Sequence, residues 1–271
     1  MAKLDLLLKK GASFSYLSEN EHPKVNSTQH CHDRYEILFV VSGEGKYIVE
    51  GKEYPIHNRT LMVIPPLHYH SVSINPDVPY ERYVVFFNAS DLTEDAQGFL
   101  GEFKNDAGTF YAKDELSSAA VSVFERLEDF TTLSDEERLI YEKLLISELV
   151  FFLSLAKREN VSSDEGELGA KVIKYINEHI DKNVSLDFLA KRFFVSKYYL
   201  CRAFKKHNGI SVHGYINQKR VMYAKQLIES GETASSAAYR VGFGDYSAFY
   251  RAYVKIVGTS PSVKGAERGE A

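Results

Sequence analysis

The sequence predicts an α+β protein of two domains: an N-terminal β-barrel with packed helices, and a C-terminal all-α domain with two helix-turn-helix motifs. Three observations predict this fold class. Short segments of β character, broken by turn residues, fill the region 14–88. Two similar helical patterns repeat from Ser185 onward. The stretch 159–167 is polar and aperiodic, and 271 residues suffice for about two domains.

The N-terminal half alternates apolar runs with turn residues. Ser42-Gly43-Glu44-Gly45 lies between two such runs and predicts a hairpin. Many short strands at this spacing favour a small barrel or sandwich. We expect strands at 36–41, 46–50, 61–64, 70–74 and 80–87.

The C-terminal half contains the repeat. Ser185 and Ser196 stand where a side-chain oxygen can cap a helix start, and each precedes a helical apolar pattern. In the second copy Gly242 can supply the backbone freedom for a turn that is one residue longer. Equivalent positions recur at one interval: Leu200 with Phe249, Arg202 with Arg251, Phe204 with Tyr253, and Gly209 with Gly258.

This half resembles the DNA-binding domain of the AraC/XylS family of transcription regulators. The likeness implies two recognition helices that enter successive major-groove segments, and a protein that activates transcription. The second unit departs from the family where large aliphatic residues give way to Ala234, Ser236 and Ala237, so we expect it to be the weaker reader. The residues that carry the resemblance are Leu189-Ala190, Phe204-Lys205-Lys206, Arg220-Val221, Val241-Gly242-Phe243 and Thr259-Ser260-Pro261.

Candidate DNA-binding residues follow from helix faces and from the family positions. Leu200 and Phe204 face inward, which leaves other residues of that helix for DNA. Arg202 can make a bidentate contact to guanine, whereas lysines suit phosphates. The candidates are Ser196, Lys197, Tyr198, Cys201, Arg202, Lys205, Lys206, Tyr246, Ser247, Tyr250 and Arg251.

The charges agree with a DNA-binding half. Residues 165–271 contain 17 Lys plus Arg and 10 Asp plus Glu, whereas the rest of the chain contains 16 and 27. The net charge of −4 therefore hides a basic half and an acidic half. A basic surface neutralises phosphates, which an acidic sensor half does not need to do.

A histidine cluster marks the predicted barrel. The segments around His30-Cys31-His32 and Glu36, with Gly43, and around His68 to His70 resemble the two motifs of the cupin barrel. In an unbroken strand His30, His32 and Glu36 share one face while Cys31 points to the other. In regulatory cupins the resemblance implies an effector pocket, often for a sugar. The candidate effector-binding residues are His30, His32, Glu36 and His70.

Three interpretations of this cluster stay open. The same four residues could hold a divalent metal, since imidazoles and a carboxylate suit Zn, Fe, Mn or Ni. They could line a polar pocket for a hydroxylated organic ligand, or bond only to each other. We favour the organic effector and expect no cofactor. Cys31 is expected to be a buried apolar side chain that fills space in the core. Cys31 and Cys201 fall in different predicted domains, so no disulfide is predicted.

Two apolar helical patterns lie between barrel and linker, with Ser134 to Glu137 as a capping box. They could simply pack on the barrel; in the family such helices form the dimer contact, so we favour a homodimer. No run is apolar and long enough to span a bilayer, which favours a cytoplasmic protein. The expected organisation is 1–110 cupin-like sensor, 111–158 helical dimerisation segment, 159–167 linker and 168–271 DNA-binding domain.

Together these features predict a cytoplasmic bacterial transcription regulator. It would bind double-stranded promoter DNA and a small-molecule effector, a sugar or related metabolite, with RNA polymerase as a further candidate partner. It is not expected to be an enzyme. The alternatives are a metal-dependent cupin enzyme that carries a DNA-binding domain, and a constitutive DNA-binding protein with an inert barrel.

Overall fold

The computed structural model describes residues 2–6, 12–19, 29–103, 108–111, 116–127, 133–158, 168–182 and 184–261. The chain divides into two compact units. The first comprises Met1–Thr28 and Arg34–Ser163, and the second comprises Gln29–Asp33 and Asp164–Ala271. The predicted linker at 159–167 lies outside the described residues. Within the described ranges, no helix has both the length and the apolar character needed to cross a membrane.

The first unit is built on antiparallel strands in two sheets. One sheet has the order β1-β2-β8-β3-β6-β9 and the other the order β5-β4-β7. A strand-rich first unit was predicted, and the structure confirms it. The strands are β1 (Ala2–Leu6), β2 (Ser13–Glu19), β3 (Tyr35–Ser42), β4 (Gly45–Val49), β5 (Lys52–Ile56), β6 (Thr60–Ile64), β7 (His70–Ile74), β8 (Tyr80–Phe87) and β9 (Thr109–Tyr111).

Strand β3 is buried on both faces because it separates two apolar layers. Leu38 and Val40 face the layer between the sheets, whereas Ile37 and Phe39 face the other way. Gly43 allows the chain to turn out of β3: its φ is 142°, and a Cβ there would lie 2.6 Å from Tyr80 Cδ2. Only glycine fits both the conformation and the close approach.

Helices cover the outer face of the larger sheet. They are α1 (Glu94–Gln97), α2 (Ser118–Arg126) and α3 (Asp135–Leu155). The predicted capping box is present, because the Ser134 side chain accepts from the Glu137 amide and the Glu137 carboxylate accepts from the Ser134 amide. Phe124 of α2 stacks on Phe39 of β3 with ring centroids 4.9 Å apart. One face of the helix pair thus packs on the sheet.

The second unit is helical, as predicted. Its helices are α4 (Leu168–Glu178), α5 (Leu186–Arg192), α6 (Lys197–Asn208), α7 (Val212–Glu229), α8 (Ala234–Arg240) and α9 (Tyr246–Val257). The pairs α5/α6 and α8/α9 form the two helix-turn-helix motifs, and α7 joins them. Strand-rich and helical parts together confirm the predicted α+β class.

Candidate DNA-binding surface and effector site

The first helix-turn-helix is shaped by its caps and its core. The Ser196 side chain accepts from the Tyr199 amide at 3.2 Å and starts α6. Gly209, with φ of 68°, ends α6 in the left-handed conformation. Leu200 and Phe204 are fully buried, so the opposite face of α6 is the one left for DNA.

The predicted contact residues of α6 lie on its accessible side. Tyr198 is 76% exposed, and Arg202 is also exposed. Lys205 and Lys206 are exposed, whereas Cys201 is half-buried. Lys197 forms an ion pair with Asp187 at 2.8 Å, and the carboxylate raises the pKa of Lys197. These positions agree with a surface that reads DNA.

The second helix-turn-helix repeats the arrangement with other residues. Asp245 caps α9 by accepting from the amides of Ser247 and Ala248, and Gly258 ends the helix with φ of 82°. Of the predicted residues, Ser247, Tyr250 and Arg251 are exposed and Tyr246 is half-buried. A carboxylate at the N-terminus of a helix also offsets the helix dipole, which a serine cap does not.

Arg220 of α7 joins the turn of the second motif to the segment that follows α4 through backbone carbonyls. Its Nη1 donates to the Gly242 carbonyl at 2.8 Å, in the turn of the second motif. Its Nε donates to the Ile180 carbonyl at 2.9 Å, just beyond α4, and its Nη2 to the Lys182 carbonyl. Burial lowers the pKa of Arg220, and the charge of Asp181 opposes that shift. One planar guanidinium therefore fixes the second motif against the first half of the unit.

A polar group bridges the two sheets inside the first unit. The buried Glu36 carboxylate accepts from the Tyr47 hydroxyl at 2.9 Å and lies 3.0 Å from Nε2 of His70. Burial works to lower the pKa of His70, but the nearby Glu36 carboxylate outweighs it, and the pKa is raised. The carboxylate thus stabilises the protonated imidazole against the cost of burial.

Tyr80 lies in the apolar layer between the two sheets, together with Leu38 and Tyr47. Among the described residues, no group forms a hydrogen bond with its hydroxyl, although the side chain is 1% exposed. Burial raises the pKa of Tyr80, so the hydroxyl keeps its proton. A buried donor without a partner costs free energy that a bound ligand can recover.

The four residues predicted for the effector site come from both compact units of the chain. Glu36 and His70 pair within the first unit, whereas His30 and His32 belong to the segment Gln29–Asp33 that groups with the second unit. Strand β3 begins only at Tyr35, so the unbroken strand that would give His30, His32 and Glu36 one face is absent from this described stretch. Cys31 is buried, as expected for a filler.

Comparison with known proteins supplies the family. An AraC-like ligand binding domain matches residues 15–145, and a helix-turn-helix domain matches residues 189–264. The HTH-type transcriptional regulator YbfI of Bacillus subtilis (strain 168) is 27% identical over 232 residues, which cover 80% of this chain and 79% of that protein. The chain belongs to the AraC family of transcription regulators.

One further relative of this AraC-family regulator and one solved structure match most of its length. The HTH-type transcriptional activator RhaS of Enterobacter sp. (strain 638) is 23% identical over 248 residues, covering 88% of this chain and 87% of that protein. The crystal structure of ToxT from Vibrio cholerae O395 is 15% identical, with a TM-score of 0.38, and covers 95% of this chain and 100% of that chain.

Sequence reasoning missed two functional features of this AraC-family chain. Arg220 was read only as part of the family motif, because its three carbonyl acceptors are brought to it by the tertiary fold. The aromatic partners of the barrel carboxylate were also missed. Tyr47 lies on β4 in one sheet and Glu36 on β3 in the other, and nothing in the sequence specifies that the two sheets face each other there.

Proposed function

We propose that the protein is a sequence-specific regulator of transcription that binds promoter DNA through α6 and α9 and responds to an organic effector held in the first unit. The observation that carries the proposal is the pair of capped recognition helices, α6 and α9, in two helix-turn-helix motifs that α7 joins. Membership of the AraC family supports it. A bacterial regulator of this kind acts on DNA in the cytoplasm.

The proposed DNA contacts divide by chemistry. Arg202 suits a guanine edge, and exposed lysines suit phosphates. On α6 we assign Ser196, Lys197, Tyr198, Cys201, Arg202, Lys205 and Lys206, and on α9 Tyr246, Ser247, Tyr250 and Arg251.

Selection from a random DNA library tests this proposal. The purified full-length chain is incubated with random duplexes, and bound fragments are enriched and sequenced. We expect enrichment of two short motifs separated by about one helical turn, and affinity that falls as salt rises. Fragments without any shared motif, or binding that salt does not weaken, would contradict sequence-specific recognition.

For the effector we propose a small hydroxylated molecule, such as a sugar or a related metabolite. The layer between the two sheets is mainly apolar, and the group around Glu36 places polar atoms within it, so a ligand would meet a few directed polar atoms within an apolar wall. The hydroxyl of Tyr80 and the pair of Glu36 and His70 would take the ligand's hydroxyl groups, with His30 and His32 as further proposed contacts. Binding to one functional state in preference to another would shift the population of the regulator.

An organic effector, not a metal, is proposed because the Glu36 carboxylate already accepts from Tyr47 and pairs with His70. A metal bound through Nε2 of His70 would have to take the place of the Glu36 carboxylate at that nitrogen. Metal analysis of the purified chain tests this choice. An ion in stoichiometric amount would overturn the organic assignment and favour the metal-binding interpretation.

Two variants test the effector site. Tyr80→Phe removes only the hydroxyl, so we expect the melting temperature without ligand to be unchanged or higher, and the ligand-induced shift to shrink. His32→Ala should abolish the response to effector and leave DNA affinity unchanged. Full induction in both variants would remove the assignment.

The homodimer is proposed on an exposed apolar face of α3. Ile140 and Leu155 are 63% and 67% exposed, and Leu144 and Phe151 lie on the same side of the helix. A two-fold pairing through this face would bury them. Sedimentation velocity should show a dimer that Leu144→Glu converts to monomer and that Lys143→Glu, the same charge one position away, leaves intact. A monomeric unmodified chain would contradict the proposal.

Activation, with RNA polymerase as a partner, is proposed because RhaS is named as an activator. In vitro transcription from a selected promoter should rise when protein and effector are added. A fall in transcript would identify a repressor.

A further inference from the structure

A groove lies beside the second recognition helix. It has a volume of about 400 Å³ and runs between α7 and α9. His213 and Asn217 line it from α7, and Arg251 and Lys255 line it from α9. We call it the α7/α9 groove. Ala248 and Ala252 occupy the same face of α9 and leave the space open between the longer side chains.

The groove is basic. Arg251 and Lys255 are one helical turn apart and exposed, and among the described residues neither forms an ion pair. Two exposed cations elsewhere in the unit differ in this respect, because Lys197 pairs with Asp187 and Arg240 pairs with Glu232. A concave surface that keeps its cations unpaired has the character of an anion site.

The polar groups of the groove suit phosphate oxygens. Lys255 and Arg251 supply charged donors. The Asn217 Nδ2 lies 3.0 Å from Nε2 of His213, and its second N–H adds a neutral donor. Arg220, at the base of the groove, is engaged with the carbonyls of Gly242 and Ile180 and is not required for the anion. The groove therefore provides several donors around one open space.

The location of the α7/α9 groove beside α9 indicates which kind of phosphate binds there. Arg251 lies on α9, the helix assigned to the major groove, and a helix in the major groove has a sugar–phosphate strand along each flank. We propose that the α7/α9 groove seats the backbone of one DNA strand beside the second recognition helix. This inference rests on the proposed DNA binding and extends it to His213, Asn217 and Lys255.

The assignment gives the second motif a role besides base reading. Phosphate contacts fix register and orientation and add affinity on any sequence. A second motif that contributes little specificity can therefore still hold the duplex against the first motif.

Salt dependence of DNA affinity tests the groove. Fluorescence anisotropy measures the affinity of the full-length chain for a selected operator and for a scrambled duplex over a range of NaCl concentrations. Lys255→Gln should weaken both by a similar factor and reduce the slope of log affinity against log salt by about 1. Lys255→Arg should keep the slope. Lys174→Gln, an exposed lysine of α4 outside the proposed surface, is the matched control and should also keep it.

Phosphate ethylation interference locates the contact. Ethylation of one specific phosphate should block DNA binding by the unmodified chain. Ethylation of the same phosphate should not affect binding by Lys255→Gln, and it should affect binding by His213→Gln less than binding by the unmodified chain. An unchanged slope and unchanged interference in Lys255→Gln would overturn the groove while DNA binding stands. Inorganic phosphate could instead raise the melting temperature of the unmodified chain but not that of Lys255→Gln, while the slope of log DNA affinity against log salt stays the same in both. That result would assign the groove to a free anion and also overturn the proposal. Absence of DNA binding by the unmodified chain would remove the proposed function itself.

Discussion

The two helix-turn-helix motifs share one backbone plan but differ in the side chains that realise it. Both recognition helices begin at an oxygen cap, Ser196 or Asp245, and end at a left-handed glycine, Gly209 or Gly258. The residues that fill the space between those points differ. The start and end of each recognition helix are therefore set by its cap residue and its glycine, whereas the side chains that pack between these two points can differ.

The turns show the difference most directly. Phe194 holds a positive φ of 56° in the first motif, and Gly242 holds φ of 91° at the equivalent place in the second. Phe194 is 95% exposed, so a side chain fits at this turn without meeting any other part of the motif. At Gly242 a Cβ would lie 2.7 Å from Arg220 Nη2 and 2.8 Å from the Asp181 carbonyl oxygen. The second turn needs glycine because Arg220 binds against it.

The cores differ in the same way. At equivalent positions the first motif buries Leu189 and Leu200, whereas the second buries Ala237 and Phe249. Aromatic rings fill the second core: Phe249 packs on Phe243 and on Tyr253, each with ring centroids 5.4 Å apart. The small residues of α8 are thus matched by large ones on α9. The expectation that this motif reads DNA less well stays a prediction.

The largest expected difference concerns the cores. Phe249→Ala should lower the stability of the second motif by about 3–5 kcal/mol, because alanine leaves a cavity under the already small residues of α8. Its counterpart Leu200→Ala should cost less, within about 2–5 kcal/mol. Hydrogen exchange detected by mass spectrometry gives separate opening free energies for α9 and α6. Phe194→Ala is the exposed control, and a larger loss for Leu200→Ala would show that the aromatic fill is not what stabilises the second motif.

Arg220 gives the next effect. Arg220→Ala should cost about 2–3 kcal/mol of unfolding free energy, since it removes the charged donor from three backbone carbonyls, two of them in part-buried hydrogen bonds. Arg220→Lys should recover little, because one ammonium cannot reach three carbonyls at once. Urea titration measures both variants. Full recovery by lysine would mean that only the charge matters and that the guanidinium does not orient the motifs.

DNA reading comes third. Arg202→Ala should cost about 1–3 kcal/mol of specific binding and relax the base preference at one position. Arg251→Ala should weaken operator and scrambled duplex by similar factors. Anisotropy titrations on both duplexes compare the variants. A loss of base preference in Arg251→Ala that equals the loss in Arg202→Ala would make the two motifs equal readers.

The smallest effect concerns the turns. Phe194→Gly should stabilise the chain by about 0.5–1 kcal/mol, because a left-handed conformation costs phenylalanine more than glycine and the exposed ring loses no packing. Gly242→Ala should destabilise it, because the new methyl group meets Arg220. Thermal unfolding compares the two. The two changes in stability should have opposite signs, and stabilisation by Gly242→Ala would refute the close approach of Arg220 to Gly242.

Local features of this chain were predictable and long-range ones were not. Strands β7 and β8 and the Ser134 capping box follow from neighbouring residues, and the structure has them where the sequence predicts. Strand β5 was missed because Lys52–Ile56 is short, charged at its start and interrupted by Pro55. The shared face of His30, His32 and Glu36 required one strand from His30 to Glu36. Residues 31–34 are not part of a strand, and β3 begins at Tyr35.

The site residues show the same limit. Helix periodicity placed Arg202 and Lys205 on the accessible side of α6, because a face repeats every turn. Neither the clamp of Arg220 nor the bridge from Glu36 to Tyr47 could be predicted, since each joins residues whose approach depends on tertiary packing. The contact roles themselves stay predictions.

The central claim is that two tethered helices, α6 and α9, occupy consecutive major-groove segments of one duplex. Hydroxyl-radical footprinting of the full-length chain on a selected operator tests it most directly. We expect two protected stretches on one side of the duplex, separated by about one helical turn, roughly 34 Å, with the stretch nearest α9 lost first in Arg220→Ala. A single protected stretch in the unmodified chain would contradict the claim.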